Sequence, residues 1–241
     1  MKKEFVKTEN DRAFRAALAQ KEQRAARESG LIVVHGRAGD GKTRTLHNWA
    51  SHERAAMLTG RPSWTVRRML ADLAQQLSIP PKGDWEAAVA EKIAAEQIPV
   101  VLDEAGFGLR DNAACLEEMR SIADKAGTLL IAVVMERDMD RLRGFEQLTS
   151  RATLCTFKPA SRADVTAACA QLCGVEVAPD LVERIWRDSG QRMRLIVEAI
   201  QMVEAVALSV GKPLATVADL AGYVLCESFQ DQRSARAGRA A

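Results

Sequence analysis

Three groups of residues in this chain have the types and spacing that chemistry needs. The first is Gly36-Arg-Ala-Gly-Asp-Gly-Lys-Thr43, which directly follows the apolar run Leu31-Ile-Val-Val-His35. A G-x-x-x-x-G-K-T turn between a strand and a helix is a phosphate cradle. Gly36, Gly39 and Gly41 let the backbone curl with its N–H groups pointing inward around an anion, and Arg37, Ala38 and Asp40 complete that backbone. The helix that starts near Lys42 adds the positive end of its dipole. Lys42 supplies a point charge for β and γ phosphates, and the Thr43 hydroxyl is placed to ligate Mg²⁺. The second group ends the apolar run Ile98-Pro-Val-Val-Leu-Asp103-Glu104, about sixty residues later. Asp103 would hold Mg²⁺ through water, and Glu104 would polarise an attacking water. By itself an acidic strand end is also what an ordinary buried strand shows at solvent; the pairing with the phosphate cradle favours the catalytic reading. The third group is basic: Arg61, Arg67 and Arg68, around a loop and a helix start. They suit sequence-independent contacts to nucleic-acid phosphates, and they equally suit a solvated helix face.

These residues need elements that hold them. Strands are expected at Leu31–His35, Ala55–Leu58, Ile98–Asp103, Thr128–Val134 and Ala152–Phe157. Helices alternate with them: residues 44–53, Trp64–Leu77 with apolar Val66, Met69, Leu70, Leu73 and Leu77, Trp85–Glu96, and Asn112–Lys125. Five apolar strands interleaved with helices imply a parallel sheet covered on both faces. Past Lys158 there is no strand signal. Ser161-Arg-Ala-Asp164 opens a helix to Leu172 with a near capping box, and further helices are expected at Asp180–Asp188, Gln191–Val210 and Ala215–Glu227. The expected organisation is therefore an N-terminal helix and tail over residues 1–30, a nucleotide-binding core over 31–157, a small all-helical lid over 158–229, and a disordered, weakly basic tail over 230–241.

The totals narrow the class. The chain has 241 residues, 47% of them apolar, which is enough for a real core. Basic and acidic residues number 34 and 32, so any DNA-binding surface must be a local patch. Cys115, Cys155, Cys169, Cys173 and Cys226 sit in apolar, helix- or strand-like surroundings; Cys169 and Cys173 are one helical turn apart with no His or acidic partner nearby, and the five read as buried thiols rather than a metal site. The start Met-Lys-Lys-Glu-Phe lacks an apolar signal core, and no apolar run reaches membrane-span length. A soluble protein of a reducing bacterial cytoplasm is the expectation. Trp64 is a lone aromatic near the basic group and reads as core.

The two acidic and phosphate motifs, the five-strand core and the helical lid together resemble the AAA+ ATPases. Over about residues 10–225 the finer resemblance is to the phage Mu transposition protein B group, with its TniB-type transposon helpers and ExeA-like relatives. It is carried by Gly36–Thr43, Val100-Val-Leu-Asp-Glu-Ala105, the helix with Leu116-Glu-Glu-Met-Arg120, and Gln147-Leu-Thr-Ser-Arg151. The resemblance implies an α/β P-loop NTPase fold of the AAA+ type, with a five-stranded parallel sheet, helices on both faces and a C-terminal helical lid. It implies ATP and Mg²⁺ as cofactors, ATP hydrolysis stimulated by DNA, and assembly into a helical filament or ring through the ATP interface. It further implies double-stranded DNA and a transposase as partners, with the protein selecting target DNA and activating strand transfer.

Site residues carry over by position. Arg151 matches the arginine finger, supplied in trans to a neighbour's γ-phosphate; a surface arginine at a strand start is the plain alternative. Ser189-Gly-Gln-Arg-Met-Arg194 matches the second sensor; the usual arginine position holds Met193, so Arg194 is taken, with Arg192 close behind. The first sensor should be a small polar residue after the fourth strand. Here Val134 leads to Met135-Glu-Arg-Asp138, and Glu136 is the nearest polar candidate. About thirty residues precede the core, too few for the helix-turn-helix unit of the Mu protein, so DNA contacts fall to Arg61, Arg67 and Arg68. Three other readings compete. They are an ExeA-like ATPase of another assembly machine, a small-molecule kinase, and a nucleotide-gated binding module with little hydrolysis.

Overall fold

The structure is a computed structural model and describes residues 1–22, 30–80 and 82–227. The expected tail over 230–241 and part of the charged face after Lys21 lie outside these residues. The chain divides into two compact bodies, one of Ala13–Arg37 with Lys42–Phe157, the other of Met1–Arg12, Ala38–Gly41 and the chain from Lys158 onward.

The first body is built on a sheet. Helix α1 (Glu9–Glu22) enters it from Ala13. Then come β1 (Leu31–Gly36), α2 (Lys42–Glu53), β2 (Ala56–Thr59), α3 (Val66–Gln76), α4 (Trp85–Glu96) and β3 (Val100–Asp103). A 3₁₀ turn (Ala105–Leu109) leads into α5 (Arg110–Ala126), β4 (Leu130–Met135), a second 3₁₀ turn (Glu136–Asp138), the short α6 (Met139–Arg143) and α7 (Glu146–Thr149), and β5 (Thr153–Thr156). The strand order is β2-β3-β4-β1-β5, and every pairing is parallel. Side chains alternate across each strand, so the apolar runs must be buried twice. Ile32, Val34, Val101, Ile131 and Val133 pack with Phe14, Leu18, Leu46 and Trp49 of α1 and α2. On the opposite face Leu31, Val33, Val100, Leu102, Leu130 and Ala132 pack with Met69, Leu73, Ile93, Leu116 and Met119 of α3, α4 and α5. Trp64 is buried in this second layer, with its indole Nε1–H donating to Asp72 at 3.4 Å. β1 and β3 flank β4 and all three run parallel, so their C-terminal ends, carrying Gly36 and Asp103, open on one edge of the sheet.

The second body is helical. It comprises α8 (Arg162–Leu172), β6 (Glu176–Val177), α9 (Pro179–Asp188), α10 (Met193–Ser209) and β7 (Leu214–Ala215). Its core is Val165, Ala168, Leu181, Ile185, Ile196, Ile200 and Val203, joined by Val6. Ser161 and Asp164 form a complete capping box, and Asp164 also accepts from the Glu9 backbone N–H at 2.8 Å. Two expectations fail here. Past Lys158 the chain does make strands, the two-residue pair β6 and β7. The helix expected over 215–227 is instead β7, a single 3₁₀ turn (Ala218–Leu220) and irregular chain. The Asp219 carboxylate takes both the Thr216 N–H and its hydroxyl, which starts a turn, and Gly222 at φ +82° ends it before helical bonds accumulate. Among the described residues no helix is long and apolar enough to cross a membrane.

Candidate nucleotide site

Lys42 opens α2 and is buried, with only 7% of its surface exposed. Its ammonium donates to the carbonyls of Gly36 and Arg37, each at 2.8 Å, so the loop is closed on its own lysine. Gly39 and Gly41 lie at φ +91°, a backbone that side chains rarely adopt and that turns amides toward a common centre. Thr43, one residue along α2, is exposed, and its hydroxyl donates to Asp103 Oδ2 at 2.8 Å. The other carboxylate oxygen accepts the Glu104 N–H at 3.0 Å. A buried carboxylate needs such partners. The arrangement puts two hard oxygen donors side by side, one neutral and one charged, which is the donor chemistry Mg²⁺ takes with its waters. These residues therefore fit a nucleotide and its metal.

Glu104 is half-buried and holds a left-handed conformation, φ 52° and ψ 37°. For a residue with a Cβ that costs on the order of 1–2 kcal/mol. It persists because the backbone around it is fixed: the Glu104 carbonyl accepts from Phe107, and the Asp103 carbonyl accepts from Gly60 at 2.7 Å. Gly60 approaches so closely that a Cβ there would overlap the Glu104 carbonyl oxygen.

His35, the penultimate residue of β1, is buried and pairs through Nε2 with Thr156 Oγ1 at 2.7 Å, while its Nδ1 has no hydrogen-bond partner among the described residues. Burial pushes its pKa below the ordinary 6.5; the Glu136 charge acts against this, and Lys42 and Arg143 add to it. Glu136, the first-sensor candidate, is exposed. The chain also brings in a residue the sequence reading passed over. Asp138, two residues on, lays its carboxylate against Gly106, in the turn that follows Glu104. The small residue at Gly106 was the available signal.

Arg151 is 47% exposed and sits 3.7 Å from Asp124. Its backbone carbonyl accepts from the buried Lys21 ammonium at 3.0 Å. Along α5, Arg120 bonds both Glu117 and Asp124, at 2.9 and 2.6 Å. The motif Leu116–Arg120 thus has two jobs. Leu116 and Met119 enter the core, while Glu117, Arg120 and Asp124 form a charged ladder that ends at Arg151. Asp124 was invisible to sequence reading because its partner lies beyond a strand and two short helices.

The three basic candidates differ. Arg61 pairs with Asp72, Arg68 donates to the Ser63 carbonyl at 3.1 Å, and Arg67 is exposed with no partner among the described residues. Arg61 and Arg68 line a cavity of about 270 Å³ with Ser63, Trp64, Ala71 and Asp72.

In the other body, the Gly39 carbonyl accepts the Arg194 backbone N–H at 3.1 Å. The Arg194 side chain is exposed, whereas the stem of Arg192 lies 3.5–3.8 Å from the place a Cβ on Gly39 would occupy. Both second-sensor candidates thus flank the Ala38–Gly41 turn, Arg194 by its backbone and Arg192 by its side chain. Ala38 is exposed and Asp40 is buried.

Neither a scan against protein-family models nor a search of curated proteins finds a match. Solved structures do match. Cdc6p from Pyrobaculum aerophilum superposes with a TM-score of 0.63 at 17% identity, over 87% of this chain and 64% of that one. Drosophila ORC bound to DNA gives 0.62 at 16% identity, over 88% and 59%. The Thermotoga maritima RuvB Holliday junction branch migration motor gives 0.59 at 16%, over 88% and 67%. The chain spans about three fifths of the first two. At these identities the likeness is one of fold, a five-stranded parallel sheet with helices around it and a glycine-rich loop after its first strand.

Proposed function

We propose that this chain is an ATPase that binds duplex DNA without regard to sequence, assembles on it when ATP is bound, and serves a transposase as selector of target DNA and activator. The observation that carries the nucleotide part is the Thr43–Asp103 hydrogen bond beside a buried Lys42. It brings the start of α2 to the end of β3, as one set of phosphate and metal ligands requires. Support for the DNA part comes from the exposed Arg67, which has no partner among the described residues, and from the fold likeness to an ORC structure bound to DNA and a Holliday junction motor. The transposition role rests on the resemblance carried by Leu116–Arg120 and Gln147–Arg151.

Each residue has a part. The backbone of 36–43 and Lys42 bind and orient the triphosphate. Bound Mg²⁺ would neutralise charge on the β and γ oxygens, held by Thr43 and by Asp103 through water. Glu104 orients the attacking water and draws its proton. Arg151 leaves Asp124 to reach the γ-phosphate held by a neighbouring copy, so hydrolysis requires assembly. Arg192 or Arg194 senses the phosphates. A second reading, a nucleotide-gated module that barely hydrolyses, is favoured by Glu136. A carboxylate at the first-sensor position repels a γ-phosphate that a hydroxyl or amide would hold.

The test is a mobility-shift assay with a random-sequence duplex, without nucleotide, with ATP and with ADP, followed by electron microscopy. ATP-dependent shifts with filaments or rings support the proposal. No shift at low salt in any nucleotide state removes it. Shifts with ATP but turnover no faster than background select the second reading.

A further inference from the structure

The loop that carries Arg61 and leads into α3, where Arg67 and Arg68 sit, is fastened to the turn that carries Glu104. Its first residue, Gly60, donates its N–H to the Asp103 carbonyl at 2.7 Å and lies on the Glu104 carbonyl. Two residues later the Pro62 carbonyl accepts from Arg110 Nη1 at 2.7 Å. Arg110 ends the 3₁₀ turn that begins after Glu104, and its guanidinium lies 5.8 Å from the Phe107 ring centre in that same turn. The loop's own fold is set by Trp64 N–H to the Arg61 carbonyl and Arg68 to the Ser63 carbonyl. Residues 60–64 therefore form a strap with two bolts, Gly60 at one end and Arg110 near its middle, both on the segment 103–110.

That segment is not a relaxed piece of chain. Glu104 is left-handed, and so are Asp111, Asn112 and Ala113, immediately after Arg110, with φ between 49° and 59°. None of them is glycine, and each such residue costs of the order of 1 kcal/mol or more. A stretch with strained residues at both ends, each end clamped to another loop, is suited to two discrete arrangements.

We infer that Arg110 is a positioning residue that couples the strap Gly60–Trp64, and the start of α3 with Arg67 that follows it, to Glu104, so that phosphates of a bound duplex and the γ-phosphate of ATP bias the same backbone turn. The inference rests on the proposed function and concerns its regulation. Arg110 acts through Pro62 and touches neither ligand. Coupling of this kind is reciprocal: whatever ATP does to DNA affinity, DNA does to ATP affinity by the same factor.

The experiment measures binding rather than turnover. Duplex affinity is determined with and without a slowly hydrolysed ATP analogue, for the full chain and for Arg110→Ala and Arg110→Lys, over a series of salt concentrations. In the unmodified chain the analogue changes duplex affinity by about fivefold or more. In Arg110→Ala this ratio falls to near one, while affinity for the analogue alone and the salt slope of duplex binding stay as they were. Arg110→Lys restores the ratio in part, because an ammonium can reach the Pro62 carbonyl. The inference is overturned if Arg110→Ala keeps the original ratio. It is also overturned if the salt slope drops by about one, since Arg110 would then be a phosphate contact itself. A chain that binds both ligands with no mutual effect defeats the coupling and leaves the proposed function standing; a chain that binds neither defeats both.

Discussion

Lys42 carries more of the account than any other single side chain. Its two hydrogen bonds to the Gly36 and Arg37 carbonyls show an ammonium already desolvated and aimed along the loop. Charge-assisted bonds from such a group are worth about 1.5–3 kcal/mol, so Lys42→Ala should weaken ATP binding about tenfold or more in a titration calorimeter. Unchanged affinity would mean the loop does not hold phosphate. His35 yields a second prediction of a different kind. Its pKa in the fold lies below the ordinary 6.5, so the unfolded chain binds the proton more readily. The stability it contributes is complete above about pH 6.5 and is lost as pH falls through the unfolded and then the folded value. Melting temperature should therefore drop between pH 7.5 and pH 5.5, and the drop should be smaller in His35→Asn. Equal drops in the two proteins would show that other groups set the acid sensitivity.

At the level of elements, the arrangement around Arg151 is the informative one. Helix α1 supplies Lys21 to the Arg151 carbonyl, and α5 supplies Asp124 to its guanidinium. Lys21→Met removes the first hold without touching the nucleotide residues. ATP affinity should stay within about twofold, and DNA-stimulated hydrolysis should fall toward the level of Arg151→Ala. Hydrolysis equal to the parent protein would show that α1 does not position the arginine. The same region shows what sequence can and cannot convey. β1, β3 and β4 were legible because strands buried on both faces read as unbroken apolar runs, and the phosphate loop was legible because its glycines have a local, steric cause. The pairing of Asp124 with Arg151, and of Gly60 with Glu104, joins residues far apart in the chain that no local pattern marks. The left-handed turn at Asp111–Ala113 carries no glycine, so nothing announced it and the region read as ordinary helix. The segment after Ala215 read as helix because its composition is apolar and alanine-rich; the Asp219 carboxylate and Gly222 decide otherwise.

On the scale of the whole molecule, net charge is only +2, so the proposed affinity for DNA must come from a few placed arginines rather than a general field. Of the three candidates, Arg61 is engaged by Asp72 and Arg68 by the Ser63 carbonyl, which leaves Arg67 as the side chain readiest to meet a phosphate. Arg67→Ala should lower duplex affinity equally for all sequences and reduce the salt slope by about one; an unchanged slope would clear it of contact. The central claim is that a nucleotide gripped at Lys42 and Thr43 decides whether copies of this chain gather on a duplex. Sedimentation velocity with a short random-sequence duplex tests it most directly. The account predicts a fast-sedimenting species holding several protein chains per duplex with ATP and Mg²⁺, and its collapse when ADP replaces ATP. The same sedimentation profile with ATP, with ADP and without nucleotide would contradict it.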